Sequence, residues 1–82
     1  MGFYTYILKN NLTNKYYTGS TENLEKRLER HNSGYVKSTK SGTPNWKIVY
    51  YEVYETRSEA QFREMAIKAK KSRKYIEFLI NG

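Results

Sequence analysis

Tyr4-Thr5-Tyr6-Ile7-Leu8 and Tyr16-Tyr17-Thr18-Gly19, separated by the polar break Asn10-Asn11-Leu12-Thr13-Asn14, decide how the rest of the chain is read. The first run carries β-formers almost without interruption and the second is short and tyrosine-rich. Asparagine between them suits turn backbone because it tolerates left-handed conformations. The pattern predicts a hairpin. With a loop over Asn10 to Thr13, Leu8 faces Lys15, Tyr6 faces Tyr17 and Tyr4 faces Gly19 on one side of the sheet. Two phenols then stand side by side, with a third beside a glycine that leaves room.

Length and composition limit what can surround that face. The 82 residues make one domain, residues 1–82. At this size folding buries only about 60% of the unfolded chain's surface, so few elements share the core. Fifteen Lys and Arg against eight acidic residues leave a net charge of +7, which suits a polyanion such as nucleic acid or an anionic membrane, the bland alternative being a merely soluble basic surface. The apolar runs are only a few residues long and no basic, then apolar, leader precedes the first strand, so the expectation is a cytoplasmic protein with no membrane partner. There is no Cys and no Asp, so carboxylate chemistry falls to Glu22, Glu25, Glu29, Glu52, Glu55, Glu59, Glu64 or Glu77. That inventory disfavours a clustered-aspartate two-metal site.

After the hairpin, Ser20-Thr21-Glu22 offers a hydroxyl N-cap and an acidic first turn. It predicts a helix to about Asn32, stopped by Ser33-Gly34. Leu24, Arg27, Leu28 and His31 fall on one stripe at i, i+3, i+4 and i+7, with Glu25, Lys26, Glu29 and Arg30 on the other side. Two ionisable residues thus share the apolar face, where the structural alternative is that both sit on its flank and reach solvent by their tips. From Arg30 to Tyr51 no residue is acidic, whereas Arg30, Lys37, Lys40 and Lys47 are basic. Ser33 to Asn45 has no period and reads as an exposed, mobile loop whose hydroxyls and lysines suit phosphate contacts.

Trp46 to Tyr54 is the third predicted strand, apolar on both faces, which calls for cover on both sides or for one buried face and one aromatic platform. Thr56-Arg57-Ser58-Glu59 is a capping box opening a helix to about Lys70. Phe62, Met65, Ala66 and Ala69 share one of its faces, Ala60 and Ile67 another, and Glu64 lies between them, as on a helix packed on two sides. The structural alternative for Glu64 is an exposed i, i+4 pair with Lys68, contributing a few tenths of a kcal/mol, on the order of 0.3. Lys68, Lys70, Lys71, Arg73 and Lys74 follow as a basic run. A last helix from Ser72 to about Ile80 docks Ile76, Leu79 and Ile80 on the core. The fold class is α+β, sandwich-like: a three-stranded antiparallel sheet flanked by about three helices, in the order β-β-α-β-α-α.

Tyr6 and Tyr17 across a hairpin, Arg27 and His31 inside the first helix and Glu64 inside the second resemble the GIY-YIG endonuclease superfamily, in its small, stand-alone, single-domain bacterial form. Tyr4-Thr5-Tyr6 stands for the first tripeptide and Tyr17-Thr18-Gly19 for the second. The likeness continues through Leu24-Glu25-Lys26-Arg27-Leu28 and His31-Asn32-Ser33-Gly34 to Arg63-Glu64. Tyr4, Thr5 and Thr18 replace the motif's glycine and isoleucines, which are backbone or packing positions. The family's late asparagine has only Asn81 as a counterpart.

The resemblance implies a metal-dependent endonuclease that hydrolyses DNA phosphodiester bonds, structure-selective and linked to DNA repair or recombination. Tyr6, Tyr17, Arg27 and His31 match catalytic positions, and Glu64 matches the ligand of a single Mg²⁺ or Mn²⁺. Such an ion supplies the Lewis acid and Arg27 a permanent forked cation. A phenol near pKa ~10 serves as base only if nearby cations lower it. Tyr6, Tyr17 and His31 all remain candidates for that role. Arg30, Lys37, Lys40, Lys47, Lys71 and Arg73 are the candidate DNA contacts, with specificity left to DNA shape or to a targeting protein partner. The alternative is a non-catalytic nucleic-acid-binding module on the same fold.

Overall fold

A computed structural model describes residues 2–82. Strands β1 (Phe3–Asn10), β2 (Tyr16–Thr21) and β3 (Trp46–Tyr54) form one antiparallel sheet in the order β2-β1-β3. Helix α1 (Leu24–Asn32) and a 3-10 turn (Lys37–Gly42) join β2 to β3, and α2 (Arg57–Lys70) and α3 (Arg73–Asn81) follow. The fold class and element order agree with the sequence expectation. Among the described residues no helix is long and apolar enough to cross a membrane.

Strand alternation divides the sheet into two faces. Tyr6, Leu8 and Trp46 form a buried cluster on one, against which Tyr17, Leu24, Leu28 and Ile48 pack. On the other face Thr5, Ile7 and Thr18 are buried, and α2 turns Ala60 and Ile67 inward. Thr5 donates its hydroxyl to the Ala60 carbonyl at 2.7 Å, so the threonine in place of the family's isoleucine fastens β1 to α2. On the same face Glu52 accepts two bonds from Arg63, at 2.9 and 3.2 Å, and one from each of Tyr50 and Tyr54. Burial works against the Glu52 carboxylate, but those donors outweigh it and hold its pKa below the usual carboxylate range.

The hairpin exists, but in a different register. Tyr6 faces Gly19, Leu8 faces Tyr17 and Tyr4 faces Thr21, a slip of two residues that preserves which side chains share a face. The cause is Asn10. Its Oδ1 accepts from the amides of Leu12 and Thr13, both at 2.9 Å, and its Nδ2 donates to the Gly42 carbonyl at 2.6 Å, so the loop runs from Asn11 to Lys15. Asn14 takes the left-handed backbone, with φ 61°. The slip also draws Ser20 and Thr21 into β2, so Asn23 rather than either of them caps α1, its side chain accepting from the Lys26 amide at 3.0 Å.

Two further expectations need correction. Ser33 to Asn45 is not simply an exposed loop: after Gly34, at φ 86°, the chain forms the 3-10 turn and buries Thr39 and Gly42 completely or nearly so. Nor is α2 packed on two sides, because Phe62 and Met65 are exposed. α3 instead lies toward the hairpin end of the sheet, where Glu77, Ile80 and Asn81 line a cleft with Lys9, Tyr16, Lys47 and Val49. The capping box at Thr56 forms as read, with Glu59 returning the bond.

Asn10 joins the hairpin loop to the 3-10 turn, and its loss leaves the buried Gly42 carbonyl and the Leu12 and Thr13 amides without their partner. Asn10→Ala is expected to lower stability by about 1–3 kcal/mol in urea unfolding. The exposed neighbour variant Asn11→Ala should change stability by no more than about 0.5 kcal/mol. Equal effects of the two would refute the role given to Asn10.

Candidate functional site

A glycine opposite Tyr6 sets the starting geometry. A Cβ at position 19 would lie 2.5 Å from the Tyr6 hydroxyl and 2.7 Å from its ring carbon Cζ, so the phenol lies across Gly19 in space that only glycine leaves. Tyr17 is its diagonal neighbour, with ring centroids 6.5 Å apart, rather than directly opposite.

The Tyr6 hydroxyl is buried and finds its partner on α1. It lies 2.9 Å from His31 Nε2, and His31 Nδ1 lies 2.8 Å from Thr39 Oγ1 on the 3-10 turn. All three side chains are shut off from solvent. Thr39 Oγ1 also donates to the Val36 carbonyl at 3.3 Å, which leaves it to accept from His31 Nδ1–H. Nε2 is then the unprotonated nitrogen, and the phenol donates to it. Burial pushes Tyr6 above the ordinary phenol range, with Tyr17 and Glu64 adding to the rise and Arg27 opposing it. The expectation that Tyr6 could be lowered by nearby cations therefore fails, because desolvation exceeds the pull of Arg27. Burial, then the charges of Arg27 and Arg30, lowers His31 to about 4, so the ring is neutral at pH 7.

Around this buried chain stand the side chains that do reach water. Arg27 is half-buried on the α1 face that carries Leu24 and Leu28, and Tyr17 is half-buried with its ring 4.7 Å from that of His31. Glu64 comes from α2 at the edge of β2. Ser20 donates its hydroxyl to Glu64 Oε1 at 2.7 Å, and Lys68 Nζ meets Oε2 at 2.6 Å while lying 5.8 Å from the Tyr17 ring centre. Glu64 is thus the i, i+4 partner of Lys68 and is also tied to Ser20 of β2.

The basic candidates divide by position. Lys71 and Arg73 line a cleft of about 380 Å³ with Tyr16, Tyr17 and Lys68, adjoining the site. Arg30, Lys37 and Lys40 are exposed on α1 and the 3-10 turn. Lys47 pairs with Lys9 on the face opposite Tyr6, together with Asn81, so neither Lys47 nor Asn81 is brought to the site. Sequence reasoning missed Ser20 and Thr39. The signal for Thr39 was indirect: a histidine buried on an apolar stripe needs a partner for each ring nitrogen.

Two tyrosines, an arginine and a glutamate gather at one edge of an antiparallel β-β-α-β-α-α domain, and the family that this chain matches makes it a small domain of nuclease type. The chain matches the family model described as the GIY-YIG catalytic domain over residues 2–76, and it belongs to the GIY-YIG family, within the nuclease superfamily. It is similar to the UPF0213 protein CPE1444 of Clostridium perfringens, 46% identical over 79% of this chain and 69% of that one. It is also similar to the UPF0213 protein SSP2268 of Staphylococcus saprophyticus, 38% identical over 96% and 95%. The solution NMR structure of the UPF0213 protein BH0048 from Bacillus halodurans has a TM-score of 0.60 at 28% identity, over 99% of this chain and 84% of that one.

Burial of neutral His31 makes stability depend on pH. The unfolded histidine takes up a proton below its ordinary value of 6.5 and the folded one only near 4. The contribution is thus complete above pH 6.5 and lost as pH falls toward 4. The window spans roughly 3 kcal/mol, as an order of magnitude. Urea unfolding from pH 7 to pH 4 should show the loss, and His31→Gln should flatten it. An unchanged slope in that variant would remove His31 as the source.

Proposed function

We propose that the protein is a divalent-metal-dependent endonuclease hydrolysing DNA phosphodiester bonds. What carries the reading is the gathering of Tyr17, Arg27 and Glu64, all with access to solvent, over the buried Tyr6–His31–Thr39 chain. Among the described residues no group of three His, Cys, Asp or Glu lies together, so an ion here would depend on one carboxylate. Glu64 fits that role. Ser20 uses one lone pair of Oε1, Lys68 is half-exposed and free to swing, and Mg²⁺ commonly accepts one protein carboxylate with waters and phosphate oxygens. When bound, the ion would supply Lewis-acid stabilisation of the phosphate.

The chain's own groups complete the chemistry. Arg27 offers a forked cation for charge developing on the phosphate oxygens. Tyr17 is the motif phenol that reaches solvent and is suited to orient the attacking water. Tyr6 keeps its proton on a bond to His31 Nε2. With both ring nitrogens engaged and no exposed surface, His31 is better suited to hold Tyr6 than to meet substrate. Lys71 and Arg73 extend a phosphate track from Tyr17, with Arg30, Lys37 and Lys40 contacting backbone further along. Selectivity would come from DNA structure or a targeting protein partner. The setting is cytoplasmic DNA repair or recombination. The second reading, a non-catalytic nucleic-acid-binding module, is favoured by one feature: Lys68 already neutralises Glu64.

Incubation with supercoiled, branched and single-stranded DNA in Mg²⁺ or Mn²⁺ separates these readings. Cleavage should vanish in EDTA and fall at least about 10²-fold in Arg27→Ala and Glu64→Ala. Cutting that survives in Glu64→Ala would sink the metal assignment, and binding without cutting on every substrate would favour the binding module.

Lys68 and the ion compete for the same carboxylate. Lys68→Met should therefore tighten Mn²⁺ binding, followed by calorimetry without DNA, by up to about fivefold, the scale of a half-exposed ion pair. Weaker binding in the variant would show that Lys68 supports the ion site instead of opposing it.

A further inference from the structure

The sheet face that carries Tyr6 is covered over only part of its length. α1 and the 3-10 turn close over Leu8, Trp46 and Ile48, but toward the other end of the strands Tyr51 is 53% exposed and Val53 57% exposed. Tyr4 meets Tyr51 there edge-on, with centroids 5.8 Å apart and planes at 72°. Between this aromatic pair and the start of α1 lies an open cleft of about 520 Å³, floored by Tyr4, Ile48 and Tyr51, walled by Leu24 and rimmed by Glu22, Asn23 and Glu25.

We propose that this cleft binds an unpaired nucleobase next to the phosphate held at Arg27. The inference rests on the nucleic-acid reading above and adds a substrate class to it. Position supports it first: Tyr51 is the cross-strand partner of Tyr6, and Arg27 lies three residues after Leu24 on the same face of α1. A nucleotide whose phosphate meets Arg27 therefore has this cleft within reach of its base.

Chemistry supports it second. The floor and wall are aromatic and aliphatic, whereas the rim is polar, with Glu22, Asn23 and Glu25, and with Arg57 3.5 Å from Glu22. The carboxylates disfavour a phosphate inside the cleft, while a flat, neutral ring can lie against the tyrosines. Those carboxylates and the Asn23 amide can take hydrogen bonds from the exocyclic amines of a base. The volume falls in the range of pockets for small planar ligands, about 300–1,000 Å³. Stacking on tyrosine tolerates every base, because each has a π-face. A paired base reaches such a cleft only after unstacking, a cost that single strands and branch points avoid. The cleft would therefore select DNA with unpaired nucleotides at the cut.

Binding without metal tests this independently of cleavage. Fluorescence anisotropy in EDTA, with a labelled single-stranded oligonucleotide and a duplex of the same length, should give tighter binding of the single strand. Tyr51→Ala should weaken single-strand binding by about five- to a hundred-fold, the range for one lost base stack, with the duplex unchanged. Tyr51→Phe, which keeps the ring, should bind like the parent, and circular dichroism confirms that each variant is folded. Equal loss on both DNAs, no loss on either, or no single-strand preference in the parent would each overturn the inference. The nuclease reading has its own readout, because Glu64→Ala removes cutting without touching this cleft.

Discussion

A phenol cannot be buried without a partner for its hydroxyl, and that constraint at Tyr6 organises the molecule. An unpaired buried hydroxyl costs about 1–3 kcal/mol, a large share of what a domain of this size has in hand. The bond to His31 Nε2 removes that cost only by burying a second polar ring, which in turn needs Thr39. The requirement thus passes from β1 to α1 to the 3-10 turn. The Thr39 carbonyl then takes the Trp46 indole N–H at 2.9 Å and returns the chain to β3. Four elements are fixed by one continuous series of hydrogen bonds.

The same economy runs through the whole interior. Of the eight largest fully buried side chains, only Ile7, Leu8 and Ile67 lack a polar atom. Yet among the described residues no buried side-chain nitrogen or oxygen lacks a partner. A small chain of mean hydropathy −0.91 gains less from apolar burial than a larger domain does. Its polar contacts contribute specificity in exchange, since Asn10, His31 and Thr39 each have a single arrangement in which all their bonds are made.

That economy also explains which parts were legible in the sequence. Features set by nearest neighbours along the chain were readable: the capping box at Thr56 and Glu59, the stripe of Leu24, Arg27, Leu28 and His31, and the glycine stop at Gly34. That Tyr6 and Tyr17 share a face was readable too, because strand parity survives a slip of two residues, whereas Arg27 and Glu64, on helices, were joined to them by the family resemblance. The hairpin register was not, since it is set by Asn10 bonding to Gly42 across 32 positions. Thr39 was hidden for a similar reason. Its segment has no period, and only the needs of a buried histidine on another element give it a fixed place. Phe62 and Met65 misled because an apolar helical face reads the same whether or not something covers it.

The site follows from where this network stops. Tyr6, His31 and Thr39 are immobilised and dry, whereas one layer outward Tyr17, Arg27, Glu64 and Lys68 keep access to water. A reacting phosphate needs charges it can approach, and those charges need fixed positions that exposed side chains do not hold unaided. Here the framework beneath supplies the position: buried His31 packs against Tyr17, and half-buried Ser20, held in β2 by its pairing with Thr5, hydrogen-bonds Glu64. β2 is an edge strand, which would ordinarily invite pairing with another chain. With Glu64 and Lys68 reaching over Ser20 and Tyr17, the edge carries charge instead. On the function proposed above, the charges that guard the strand against other chains are also those a phosphate and its metal ion would meet.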